Sequence, residues 1–332
     1  MAFYWLLFCF VVLLSGMIAV QEFDMLGQAE VLRIVLVVML SLFAAFFSKS
    51  GSVDYNNYVD MLNVAPPASA WEAMTLKDPF FLLMGFSLRS HDGHLSLLVF
   101  LMAFLSLGIK LNIFSRVFGG AGYADILSLA VIFLVGRFYL LHEFTQLRAS
   151  LGIALISLSI VYTMENRTAL VLVTAALAAL THLSSLALLP ALVLVAAVAF
   201  FEVERFSRLA PYLTGEYPVT NNTVFSFYSV FKAVILTGLL LQWKALATVL
   251  RQAVLISAYG IFLTWLFLQN DVLSLRLGEL TEIFDCLCFA YFFMHGLKLA
   301  PVDGYVAGLG IAVLFYFSSL HIVNPLRLGF KP

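Results

Sequence analysis

Charge is what this sequence has least of. Only 11% of its 332 residues are charged, 63% are apolar, and the mean hydropathy is +1.02. A water-soluble globular domain carries about a quarter charged residues, so that class is excluded. The 18 basic and 19 acidic residues leave a net charge of −1, with no basic excess to hold a nucleic-acid backbone. Cysteine is almost missing. Cys9, Cys286 and Cys288 lie in apolar runs, where a thiol behaves as a small apolar side chain. Cys286-x-Cys288 is too closely spaced for the usual zinc pair and has no second pair. A Gly-rich phosphate loop, a nucleophile elbow and a His-Glu-x-x-His helix are all lacking, as are internal repeats and low-complexity segments.

What is present is a succession of apolar runs, rich in the 32 Phe and 13 Tyr that suit a lipid-facing surface. A helix crossing the bilayer core needs about 20 apolar residues. Runs at Phe3–Val20, Val31–Phe47, His94–Leu111, Tyr123–Leu141, Leu147–Thr163, Thr168–Phe201, Phe225–Trp243, Leu250–Leu268, Ile283–Leu297 and Gly304–Leu320 predict ten spans. The fold class is therefore all-α, a polytopic integral membrane protein with one domain over 1–332. The count becomes eleven if the 34-residue run Thr168–Phe201 breaks near Thr181–Ser184; Pro190 within it suits a kinked membrane helix. Phe3–Val20 lacks a basic flank and a small-residue cleavage site, so it reads as a first span and not a signal peptide.

Three polar stretches separate the spans: 48–93, 202–223 and 269–282. In the first, Phe80–Leu88 is too short to span and is expected as an interfacial or re-entrant helix. With the N-terminus outside, all three stretches fall outside. The positive-inside count runs against this orientation, because only Arg33, Lys110, Arg116, Arg167, Lys244, Arg251 and Lys298 fall inside. Many of the outside cations, however, sit in acid-rich loops or beside candidate site residues.

A charge at mid-membrane costs about 2.5–3.5 kcal/mol on insertion scales, so ionisable residues near apolar runs are functional candidates. Three segments qualify. The first holds Arg137, Tyr139, His142, Glu143, Gln146 and Arg148. Arg148 shares a helix face with the small residues Ala149 and Gly152 and points either into the bundle or, snorkelling, to the interface. In the second, His182 lies on a small-residue face with Ala175, Ala178 and Ser185; it is either hydrogen-bonded to a neighbouring helix or a general base or donor to an anion. The third places Arg276 and Glu279 three residues apart, an ordinary helix ion pair or an arginine oriented into a cavity. In the long first loop, Asp54, Tyr55, Asn57, Tyr58 and Asp60 form an acid and aromatic cluster, either a solvated loop or a carbohydrate surface. His91 and His94 alone are too few for a metal site.

In order along the chain stand Asp54-x-x-x-Tyr58, Asp78-Pro79-Phe80-Phe81, Gln146-x-Arg148-Ala-Ser150, a Thr-His182-Leu-Ser-Ser segment and Arg276-x-x-Glu279. This arrangement, over roughly residues 30–295, resembles the EpsG/Wzy-type polysaccharide polymerases of bacterial envelopes. Asp78-Pro79 stands where that family more often has Glu-Pro. The resemblance implies a GT-C-like glycosyltransferase bundle in the bacterial cytoplasmic (inner) membrane, with its site on the periplasmic or extracellular side. The implied reaction joins undecaprenyl-pyrophosphate-linked oligosaccharide repeat units, with the lipid pyrophosphate leaving. Arg148 and Arg276, supported by Arg137, would hold the pyrophosphate, since guanidinium matches phosphate bidentately. His182 would take the proton of the attacking hydroxyl, with Glu143 or Asp54 in reserve. Tyr55, Tyr58, Gln146 and Glu279 would hold glycan. No metal or cofactor is needed where arginines neutralise the diphosphate. Implied partners are the lipid-linked oligosaccharide, membrane lipid, a chain-length regulator and a flippase, and no nucleic acid. Alternatives are an O-antigen ligase or another lipid-linked glycan transferase, a flippase, and a structural subunit of an export complex.

Overall fold

The apolar runs are helices in the structure, a computed structural model. It describes residues 2–21, 26–52, 54–63, 72, 78–91, 93–118, 124–182, 227–266, 274 and 277–320. Helices α1 (Ala2–Gln21) and α2 (Leu26–Gly51) are followed by short helices α3 (Tyr55–Leu62) and α4 (Pro79–Leu88). Helix α5 covers His94–Phe118, and α6 covers Ala124–Phe133 and continues as a π-helical turn, Leu134–Tyr139. Helices α7 (Leu147–Met164) and α8 (Thr168–Thr181) form a hairpin. The remainder comprises α9 (Phe227–Leu241), α10 (Thr248–Leu266), α11 (Glu282–Tyr291, with a π turn over Phe292–Gly296) and α12 (Pro301–Ser319).

Each of the ten expected spans coincides with one of these helices over its described part. Five described helices are long and apolar enough to cross a membrane: α2 from Glu30, α5, α7, α10 and α12. Among the described residues there is no strand. The chain is an all-α, multi-pass membrane protein. Large exposed apolar side chains such as Phe46, Leu172, Leu241 and Val302 are what lipid as solvent permits, because an apolar side chain has no reason to hide from acyl chains.

The structure departs from the expected boundaries at instructive places. The helix of the run Thr168–Phe201 ends at Thr181, where the sequence allowed a break, with His182 extended at φ −160° and ψ 105°; residues 183–201 lie outside the described residues. Pro190 and the 202–223 stretch lie outside the described residues. Helix α5 runs to Phe118, seven residues past the expected end, so Lys110 lies within the helix and is fully buried, not at an inner interface. Glu282 opens α11 and is likewise buried, so it belongs to the bundle and not to a polar loop. Within 48–93, α3 was not expected.

Two elements make the centre. Nearly every side chain of α6 and its π turn is buried, and so is every residue from Glu282 to Ala290 of α11. Helices apolar on all sides are the interior ones, and these two pack on each other. Gly136, in the π turn of α6, lets α12 come close: a Cβ there would lie 2.7 Å from the Ala312 carbonyl oxygen. Around this centre, α1 packs on α6, α5 lies between α2 and α7, and α4 rests on α5 and α8. Alternating chain direction brings the start of α4, the turn before α7 and the end of α8 to one end of the bundle.

Candidate active site

At that end, three segments far apart in sequence converge on one carboxylate. Asp78 precedes α4 and is 6% exposed. Its Oδ2 accepts a hydrogen bond from Nη1 of Arg148, in the first turn of α7. Its Oδ1 lies 3.3 Å from Nδ1 of His182, at the end of α8. Arg148 and His182 keep side-chain exposures of 18% and 26%, so both can be reached from outside.

Local structure explains the position of each. Pro79 starts α4, where its missing N–H costs nothing and its fixed φ suits the helix. Asp78 takes the left-handed conformation, φ 54° and ψ 61°, which costs a non-glycine residue on the order of 1–3 kcal/mol. Its side chain makes no cap hydrogen bond to its own helix, the usual use of Asp at this place. An arginine in a first helical turn opposes the helix dipole, and Asp78 offsets that. His182 remains tied to α8 through its N–H to the Ala178 carbonyl, 2.8 Å.

The guanidinium of Arg148 stands over two rings, 5.6 Å from the Tyr58 centroid and 5.8 Å from that of Phe81. The Tyr58 hydroxyl donates to the Thr145 carbonyl (2.6 Å) and accepts the Leu147 N–H (3.0 Å), which clamps the entry to α7. Burial holds the Tyr58 phenol above its ordinary pKa, so it stays a donor. Tyr55, Tyr58 and Leu62 are the buried face of α3. Helical spacing turns both tyrosines, expected to hold glycan, toward the protein, and Tyr58 supports Arg148. Asp54 stands at the start of α3, partly exposed, and accepts from Asn57 at 3.2 Å.

A second ionic cluster is closed to solvent except at Arg137, whose side chain is 14% exposed. Lys110 of α5 pairs with Glu143 (2.5 Å) and with Glu282, all three fully buried. Ser150 donates to Glu143 (2.9 Å) and joins Ser106 at 2.7 Å. His142 has Glu282 2.9 Å from Nδ1 and Glu279 3.6 Å from Nε2. A carboxylate opposite each ring nitrogen suits the imidazolium, which donates from both. Arg137 lies 3.8 Å from Glu279 and over the Tyr228 ring at 4.8 Å. Three carboxylates thus meet Lys110, Arg137 and His142, and the formal charges cancel.

This closed cluster revises several expectations. Glu143 is enclosed by Lys110 and two serines, so it does not reach an acceptor hydroxyl as a reserve base. Glu279, 2% exposed, is held in ion pairs and offers no surface to glycan. Gln146 is buried as the N-cap of α7; its N–H donates to Leu141 (3.0 Å) and its carbonyl accepts from Ser150 (2.9 Å). Arg137 belongs to this cluster and not to the pair around Asp78. Arg276 lies outside the described residues. Sequence reasoning did not single out Lys110 or Glu282 as site residues. It also passed over Asp78 as a site residue, although the Asp-Pro start of a helix was visible.

A third buried group is fully satisfied. Asp285 accepts from Tyr228 (2.5 Å), Lys232 (2.8 Å), Thr281 (3.2 Å) and Ser257. Among the described residues no three His, Cys, Asp or Glu side chains gather to hold a metal ion. What the open cluster offers chemically is a guanidinium for an anion and an imidazole for a proton.

Neither a curated protein nor a solved structure matches the chain. The EpsG family model matches residues 30–199, a segment that includes Asp78, Arg148 and His182, and covering half of the chain it places the protein in the EpsG family.

Proposed function

We propose that the protein polymerises lipid-linked oligosaccharide repeat units, with undecaprenyl pyrophosphate as the leaving group. A polymerase-like role in polysaccharide synthesis follows from the family; the donor and the residue roles are our reading. The observation that carries it is the meeting of Arg148 and His182 at one partly open place. In the reaction, a sugar hydroxyl of one repeat attacks the anomeric carbon of another. The bond from that carbon to the diphosphate oxygen breaks, and the diphosphate leaves with the electron pair. Arg148 stabilises the charge that develops on it, with Arg276 as a second cation from the sequence. His182 takes the hydroxyl proton. The site end of the bundle faces the periplasm or cell exterior, in a bacterial inner membrane. A chain-length regulator and a flippase are the partners that such a reaction requires.

The test is glycan profiling. Deletion of the gene should leave single lipid-linked repeats, and the intact gene should restore long chains. Arg148→Ala and His182→Ala, present at normal membrane levels, should each leave single repeats. Long chains from either variant would remove that residue from the mechanism. A ligase would instead leave finished polymer unattached, and a flippase would leave repeats facing the cytoplasm.

A further inference from the structure

Arg148 can act only where the turn before α7 delivers it, and that turn is held from two sides. On one side Tyr58 clamps Thr145 and Leu147. On the other, Glu143 pairs with Lys110 of α5, and the buried His142 ring faces the 277–282 segment that leads into α11. Glu282 lies 2.9 Å from Nδ1, and Glu279 lies 3.6 Å from Nε2, within ion-pair reach. The groups around these two carboxylates are Arg137 from the π turn of α6, 3.8 Å from Glu279, and Lys110, which also pairs with Glu282. The Cys286 thiol of α11 stands near Glu282, and the Phe138 ring meets His142 edge-on at 5.9 Å.

We infer that His142 is a positioning residue: its imidazolium ties the 277–282 segment to the turn that carries Arg148, so firm diphosphate binding requires this ring to stay protonated. This rests on the assignment of the diphosphate to Arg148. A neutral imidazole donates from one nitrogen only and turns a lone pair toward the other carboxylate. The cluster then holds Glu143, Glu279 and Glu282 against Lys110 and Arg137 alone. One negative charge is left over in a nearly sealed place, where an unbalanced charge is costly. Parting the 277–282 segment from the turn relieves it, and the turn loses part of one flank. The Tyr58 clamp and the Glu143–Lys110 pair remain, so the protein stays folded while Arg148 is held less firmly. Burial disfavours the charged ring, but Glu282 and Glu279 outweigh it and hold the His142 pKa up at about 9. With a raised pKa, the tie is complete below the ordinary histidine value and is lost as pH rises through about 9. The site thus works across neutral pH and weakens in alkaline surroundings.

The experiment measures binding of inorganic pyrophosphate by the full chain in detergent, from about pH 7 to about pH 10, for wild type, His142→Lys and Arg148→Ala. A lysine between two carboxylates keeps its charge over this range, and Lys110 already meets two carboxylates with one ammonium. The ratio of wild-type to His142→Lys affinity at each pH cancels the titration of pyrophosphate itself. That ratio should fall about tenfold by one pH unit above the His142 midpoint of about 9. A ratio that stays flat between folded proteins overturns the inference, and it is what a ring with a merely structural role would give. A second measurement needs no substitution: one histidine ring of the wild type should titrate with a midpoint near 9 by NMR, and elongation of lipid-linked repeats extracted from the deletion strain should fall with the same midpoint. An elongation rate that holds through that range, or no histidine titrating above about pH 8, also overturns it. Pyrophosphate binding indifferent to Arg148→Ala would instead remove the polymerisation reading's own premise.

Discussion

Lys110→Met offers the sharpest test of the closed cluster. The ammonium is fully buried and pairs with Glu143 at 2.5 Å and with Glu282. It also donates to Ser150 at 3.2 Å. Methionine fills similar volume, so packing changes little and the electrostatics change completely. The cluster goes from balanced to a net charge of −1, with two carboxylates at zero exposure facing no ammonium. Removing one partner of a buried pair costs about 3–5 kcal/mol. Adding Glu143→Gln restores charge balance: Glu282 and Glu279 then face His142 and Arg137. The double variant should recover most of the loss, giving a coupling of about 2 kcal/mol, within the range seen for directly interacting residues. The assay is unfolding in mixed detergent micelles titrated with a denaturing surfactant, read for wild type, both single variants and the double. A Lys110→Met protein within about 1 kcal/mol of wild type, or strictly additive effects, would refute the argument that these charges hold the turn together.

Tyr58→Phe keeps the ring beneath Arg148 but leaves the Thr145 carbonyl and Leu147 N–H without the hydroxyl. It should cost about 1–3 kcal/mol in the same unfolding assay and shorten the glycan chains more than its stability loss accounts for. Gly136→Ala places a Cβ 2.7 Å from a backbone oxygen of α12; this overpacking should cost about 1–3 kcal/mol, seen as a lower unfolding midpoint.

The fold was legible because lipid as solvent leaves a plain signature: segments of roughly one bilayer thickness without charge. What was not legible depends on pairing across the sequence. Lys110 ends an apolar run and reads as an interfacial cation, because its partners Glu143 and Glu282 lie on other elements. Helix α3 is eight residues long, so Tyr55, Tyr58 and Leu62 at helical spacing looked like an aromatic loop cluster. Arg148 and His182 stood out as ionisable groups beside apolar runs. Asp78 did not, because an acidic residue before a helix-starting proline is ordinary until the chain folds it against a histidine more than a hundred residues away.

Both ionic clusters set carboxylates against cations, and they differ in how far they are sealed. Around Lys110 every partner is sealed, so exchanging one would strand a charge in a medium that does not solvate it. Such a cluster cannot take up and release substrate; it can only fix geometry. The geometry it fixes is the turn His142–Gln146, which delivers Arg148 to Asp78. Around Asp78 the cations are partly open, so an anion from outside can reach them. For the proposed transfer of a diphosphate leaving group, a rigid neutral cluster next to a partly open one holds the guanidinium in place before the diphosphate arrives.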